Sequence, residues 1–105
     1  MELDIVNEET SKNVRDSIQD RIGADIFTLQ IADSILDRFY KNRNETYSPE
    51  DFKFPEDSNS LKNFRKGYSE QEFKQDRDKI IDIFVEYGII EKLAFGKYLF
   101  SKNRN

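Results

Sequence analysis

The sequence predicts a mostly helical α+β domain: a three-helix core, an extra helix before it and a β-hairpin after it. Three observations carry that expectation. Apolar residues recur at helical spacing from Ile26 to Tyr40 and again from Phe73 to Tyr87. Ser69-Glu70-Gln71-Glu72 opens the second of these runs as a capping box, and Gly88 closes it. Beyond Gly88 the pattern changes to β-formers interrupted by Phe95-Gly96, which suits two strands and a tight turn.

Length and composition bound the rest. A chain of 105 residues is expected to form one domain. Residues 1–24 read as an N-terminal extension, 25–101 as the core and 102–105 as a basic tail. The apolar residues suffice for one modest core, since 36% of the chain is charged. There is no Cys, so no disulfide framework and no thiolate chemistry. There is no His, which removes the commonest general base and metal ligand. No apolar run approaches the ~20 residues that a membrane span needs. The acidic start MELDIVNEET lacks a signal-peptide core, so a cytoplasmic protein without a membrane partner is expected.

Taken in order, Leu3 to Val6 is a short apolar run, read as an edge strand or a packed tail. Glu8 to Ile22 is helical, with Val14, Ile18 and Ile22 in a narrow stripe. Such a stripe suits a peripheral helix or one that meets a partner chain, and Gly23 is a plausible stop. Asp25 to Asn42 has the widest apolar face: Ile26, Leu29, Ile31, Ala32, Ile35, Leu36, Phe39 and Tyr40. It should be the central helix, and Lys41 and Arg43 at its end suit the helix dipole. Asn44 to Ser48 is a candidate short strand that pairs with the hairpin. Ser48-Pro49-Glu50-Asp51 then has a capping serine, proline at the first helical position and acids in the first turn. Pro55 to Ser60 reads as a surface loop.

Leu61 to Lys66 makes a short helix with Leu61 and Phe64 inward, and Gly67-Tyr68-Ser69 turns the chain into the long helix. That helix buries Phe73, Ile80, Ile81, Phe84 and Tyr87. Arg77 falls on the same side, so it should find a carboxylate or a carbonyl. Two helices joined by a turn of three or four residues form a helix-turn-helix. A hairpin follows at 89–101, through the run KIIDIFVEYGIIEKLAFGKYLF. In this order of elements the chain resembles the winged-helix family. The resemblance covers roughly the last three-quarters of the chain. The extra turn and loop at 49–60 depart from the family pattern, and an alternative register takes 8–22 and 25–42 as its first two helices.

The resemblance implies binding to double-stranded DNA by a small transcriptional or replication-associated regulator. The second helix of such a motif enters the major groove by its N-terminal part. Groove-facing residues would be Ser69, Gln71, Lys74, Gln75 and Asp78 or Lys79. Lys62, Arg65, Lys66 and Tyr68 would meet phosphates, and Lys97 phosphate or the minor groove. Lys102 and Arg104 add a basic tail. Operator geometry, with the spare surface at Glu8 to Ile22, implies a homodimer. Charge agrees in part. Residues 1–60 hold 7 Lys/Arg against 14 Asp/Glu, whereas 61–105 hold 10 against 7, a modest excess of +3. For any one of these cations, a solvated surface charge is the simpler reading.

Two other readings compete. Winged-helix domains also serve as protein-interaction or adaptor modules, and an acidic pI near 4.9 suits that. Phe95, Tyr98 and Phe100 would then form an aromatic contact patch, although packing of the hairpin on the long helix should claim at least two of them. An enzyme is the weakest reading. Glu72-Phe73-Lys74 matches half of a metal-dependent nuclease motif, with Glu56-Asp57 upstream, but Glu72 already belongs to the capping box. No zinc spacing, phosphate loop or nucleophile motif is present, and no cofactor is expected.

Overall fold

The computed structural model describes residues 8–23, 26–53 and 69–101. Three helices appear among them: α1 at Glu8–Arg21, α2 at Ile26–Lys41 and α3 at Glu70–Glu86. Three short strands follow the order of the chain: β1 at Thr46–Tyr47, β2 at Ile90–Lys92 and β3 at Tyr98–Phe100. The fold is therefore α+β and mostly helical, as the periodicity predicts. The Leu3 to Val6 run, the loop at 55–60, the helix at 61–66, Gly67-Tyr68 of the following turn and the basic tail lie outside the described residues.

α1 carries Glu8 and Glu9 in its first turn and Arg21 in its last, each placed favourably for the helix dipole. Its narrow stripe is used within the chain. Val14 and Ile18 are 0% exposed, packed with α2 and α3 in one core. Two polar links hold the far end of α1 to α3. Ser17 Oγ and Tyr87 Oη are hydrogen-bonded at 2.8 Å, and Arg21 donates to both oxygens of Glu86 at 2.8 and 2.7 Å.

α2 is the central helix. Ile31, Ala32, Ile35, Leu36 and Phe39 are all buried. Burial of each large apolar side chain stabilises by about 1.5–3 kcal/mol. Phe39 anchors an aromatic cluster, edge-on to Tyr47 at 5.5 Å and tilted against Phe52 at 5.3 Å. At the end of α2, Arg43 donates to the Tyr40 carbonyl at 3.1 Å and lies over the Tyr40 ring. The segment from Ser48 makes only one turn of 3-10 helix, Pro49–Asp51. The Asp51 carboxylate accepts from the Ser48 amide at 2.8 Å, closing this turn on itself.

α3 starts and stops as its sequence dictates. The Glu72 amide donates to Ser69 Oγ at 3.1 Å. At the other end Gly88 takes φ 73°, the Ile89 amide reaches the Phe84 carbonyl at 2.9 Å and the Gly88 amide the Val85 carbonyl at 3.0 Å. Those two bonds are the Schellman motif, which turns the chain directly into β2. Arg77 is buried and paired as expected: Nε lies 3.0 Å from Asp78 Oδ1, and Nη1 donates to the Phe52 carbonyl at 3.4 Å.

The sheet is antiparallel in the order β1-β3-β2. Thr46–Tyr47 does pair with the hairpin, and β3 sits in the middle. The turn differs from the two-residue turn expected at Phe95-Gly96. Leu93 donates to the Lys97 carbonyl at 2.7 Å, so three residues, Ala94 to Gly96, make the loop. The core decides this register. Ile90 opposes Phe100, and both are buried. A two-residue turn would shift the pairing by one and place Glu91 opposite Phe100.

Candidate nucleic-acid interface

The exposed face of α3 brings together part of the expected contact set. Gln71, Lys74 and Gln75 line one shallow depression with Glu70 and Asp78. Lys79 lies one turn beyond Gln75 and is exposed. Ser69 is exposed, but its hydroxyl is engaged: it accepts from the Glu72 amide and lies 3.4 Å from Glu72 Oε1. Lys74 is also engaged, its Nζ 3.3 Å from Glu70 Oε2. Lys62, Arg65, Lys66 and Tyr68, the expected phosphate contacts, lie outside the described residues.

The electrostatics of α3 oppose a purely helical readout. The helix Glu70–Glu86 holds six acids, Glu70, Glu72, Asp76, Asp78, Asp82 and Glu86, against Lys74, Arg77 and Lys79, net −3. Phosphates would repel this face, and four of the six acids, Glu70, Glu72, Asp76 and Asp78, lie in its N-terminal half with Gln71, Lys74 and Gln75.

The hairpin offers different chemistry. Lys97 is exposed at the foot of the turn, and Lys92 is exposed on β2. The three aromatic residues divide. Tyr98 and Phe100 are buried and belong to the core, whereas Phe95 is 99% exposed. From Lys92 to Asn105 the chain carries Lys92, Lys97, Lys102 and Arg104 and no acid. The local sequence signal for this split is the alternation of β3, which turns residues 98 and 100 to one face.

Residues distant in sequence build a second feature. A cavity of about 180 Å³ lies between α2, Phe52 and α3, with Ile31, Ile35, Phe52 and Phe73 as its apolar lining. Arg38 and Lys53 stand among its polar lining residues. Arg38 lies over the Tyr47 ring at 5.0 Å and the Phe52 ring at 5.4 Å, and donates to the Asp51 carbonyl at 2.9 Å. The Asp51 carboxyl titrates below its ordinary range, chiefly because it accepts from the Ser48 amide, with the Lys97 and Arg38 charges adding to this. Lys97 thus sits within electrostatic reach of the turn that follows β1. No group of three or more metal-ligating side chains gathers among the described residues, and none of their helices is long and apolar enough to cross a membrane.

No protein-family model, curated protein or solved structure matches the chain.

Proposed function

We propose that the chain binds double-stranded DNA as a winged-helix protein, acting in the cytoplasm as a small dimeric regulator. One observation carries the reading. α3 passes through Gly88 straight into a hairpin whose middle strand pairs with β1, and the N-terminal half of α3 leaves Gln71, Lys74 and Gln75 on one exposed face. Gln can bond adenine at two points, and Lys can reach guanine acceptors. The Lys62, Arg65 and Lys66 cluster, next in sequence to α3, would supply phosphate contacts.

The test is binding to a random-sequence duplex across a salt series, with two variants beside the wild type. Lys62/Arg65/Lys66→Ala should lower the log–log salt slope by roughly 2–3, since each phosphate contact releases about 0.9 counterion. Gln71/Gln75→Ala removes no charge, so it should keep the slope and, across a panel of duplexes of defined sequence, lose preference among them. Absence of binding at low salt in all three would remove the DNA reading. The net charge of −3 on α3 favours a second reading, a winged-helix adaptor that docks another protein. That reading predicts no duplex binding at any salt.

A further inference from the structure

Phe95 combines two costs that a hairpin tip normally avoids. Its ring is 99% exposed, the single large apolar side chain so placed among the described residues. Its backbone is in the left-handed region at φ 63°, where a bulky residue is a true outlier. Gly96, next to it, holds φ 70°, a conformation natural for glycine. Glycine or asparagine at position 95 would relieve both costs. Strain and exposure at one tip make Phe95 a candidate contact residue.

The surroundings indicate what it contacts. Ala94 and Gly96 are small, so the ring stands clear at the end of the turn. Lys92 and Lys97 are exposed on either side of it. The stretch from Lys92 to Asn105 holds four cations and no acid, in a chain of net charge −4. Among the described residues, the tip of the hairpin from Lys92 to Lys97 therefore carries two exposed cations and no acid, and a polyanion complements it. The minor groove of duplex DNA is about 6 Å wide, too narrow for a two-stranded ribbon with its side chains. A single ring between Ala94 and Gly96 can enter it.

We infer that Phe95 is a wedge that the hairpin inserts into the minor groove, between stacked base pairs, with Lys92 and Lys97 on the flanking phosphates. This rests on the DNA-binding reading and adds a consequence to it: the duplex is unstacked and bent at that step, as apolar wedges do elsewhere. Pyrimidine–purine steps, which unstack most readily, are the preferred sites.

The experiment uses the full chain and a 30-base-pair duplex with 2-aminopurine at a central TA step and a dye pair at its ends. The same proteins are titrated with vesicles of phosphatidylserine and phosphatidylcholine. Wild type should raise 2-aminopurine fluorescence and shorten the end-to-end distance. Phe95→Ala and Phe95→Gly should keep the salt slope, lose both signals and bind roughly tenfold more weakly, within the range for one stacked aromatic. Lys92→Ala with Lys97→Ala should lower the salt slope by roughly 2. Duplex binding with the same fluorescence and bend in Phe95→Ala overturns the wedge and leaves the DNA reading standing. No duplex binding by wild type overturns both. Binding to the vesicles that depends on Phe95, without unstacking of the duplex, overturns the wedge in favour of a lipid surface.

Discussion

Replacing Phe95 with glycine should make the protein more stable. Removal of a large aromatic residue usually destabilises, by about 3–5 kcal/mol in a core. Here the ring is 99% exposed, so almost no buried area is lost. What changes is the backbone. A non-glycine residue at φ 63° bears about 1–2 kcal/mol of steric cost, which glycine does not. Against this, glycine gives the unfolded chain more freedom, worth about 0.5–1 kcal/mol. The difference is a gain centred on about 0.7 kcal/mol, or roughly 3–6 °C in Tm for a domain of this size. Phe95→Ala keeps the Cβ and hence the strain, so its stability should stay within about 0.5 kcal/mol of wild type. Gly96→Ala is the mirror experiment. An added Cβ at Gly96 meets no atom within 4 Å, so any loss comes from its φ of 70° alone. The expected loss is about 0.5–1 kcal/mol after the unfolded-chain term is subtracted. Urea unfolding of the four proteins at one pH measures all of this. A Phe95→Gly protein no more stable than wild type would show that position 95 bears no left-handed strain. A loss of 2 kcal/mol or more in Phe95→Ala would show that the ring packs against the chain.

Two further outcomes concern groups that hold the core and the turn. Arg77→Ala should cost about 2–3 kcal/mol in urea unfolding, since the Phe52 carbonyl loses a buried donor and the aliphatic stem leaves a gap; Arg77→Met refills the gap and should recover about half, and equal losses would mean that the stem contributes nothing. Asp51 has a folded pKa below its ordinary 3.8, so its stabilising effect is present above that value and is lost as pH falls through the folded pKa. Asp51→Asn should therefore be less stable than wild type near neutral pH, with the gap closing as pH drops below about 4; a gap unchanged down to about pH 2 would show that the carboxylate charge plays no part.

Much of this molecule could be read directly from the order of its residues. Helices at 8–21, 26–41 and 70–86 follow from apolar spacing, and the ends of α3 follow from Ser69 and Gly88, because capping chemistry is local. The requirement that Arg77 find a partner also follows from its position on the apolar side of α3. So does the likeness of Gln71, Lys74 and Gln75 as neighbours, since they lie three and four residues apart on one helix. Which groups receive Arg77 could not be read this way: Phe52 is 25 residues distant, and Asp78, adjacent in sequence, pairs with it only by the bend of two side chains.

Tertiary packing decided the rest. Val14 and Ile18 form a stripe narrow enough for a partner chain, yet the described core accommodates them beside α2 and α3, a choice that no local rule makes. Local chemistry at Phe95-Gly96 allows a two-residue turn. The loop has three because Ile90 and Phe100 must face the same core, and a pleated strand cannot slip by one without reversing every side chain. That register also separates Phe95 from Tyr98 and Phe100, burying two aromatic residues and presenting the third. Helix identity and capping are properties of neighbouring residues. Register, and with it what the hairpin exposes, is a property of the surfaces that the whole chain brings together.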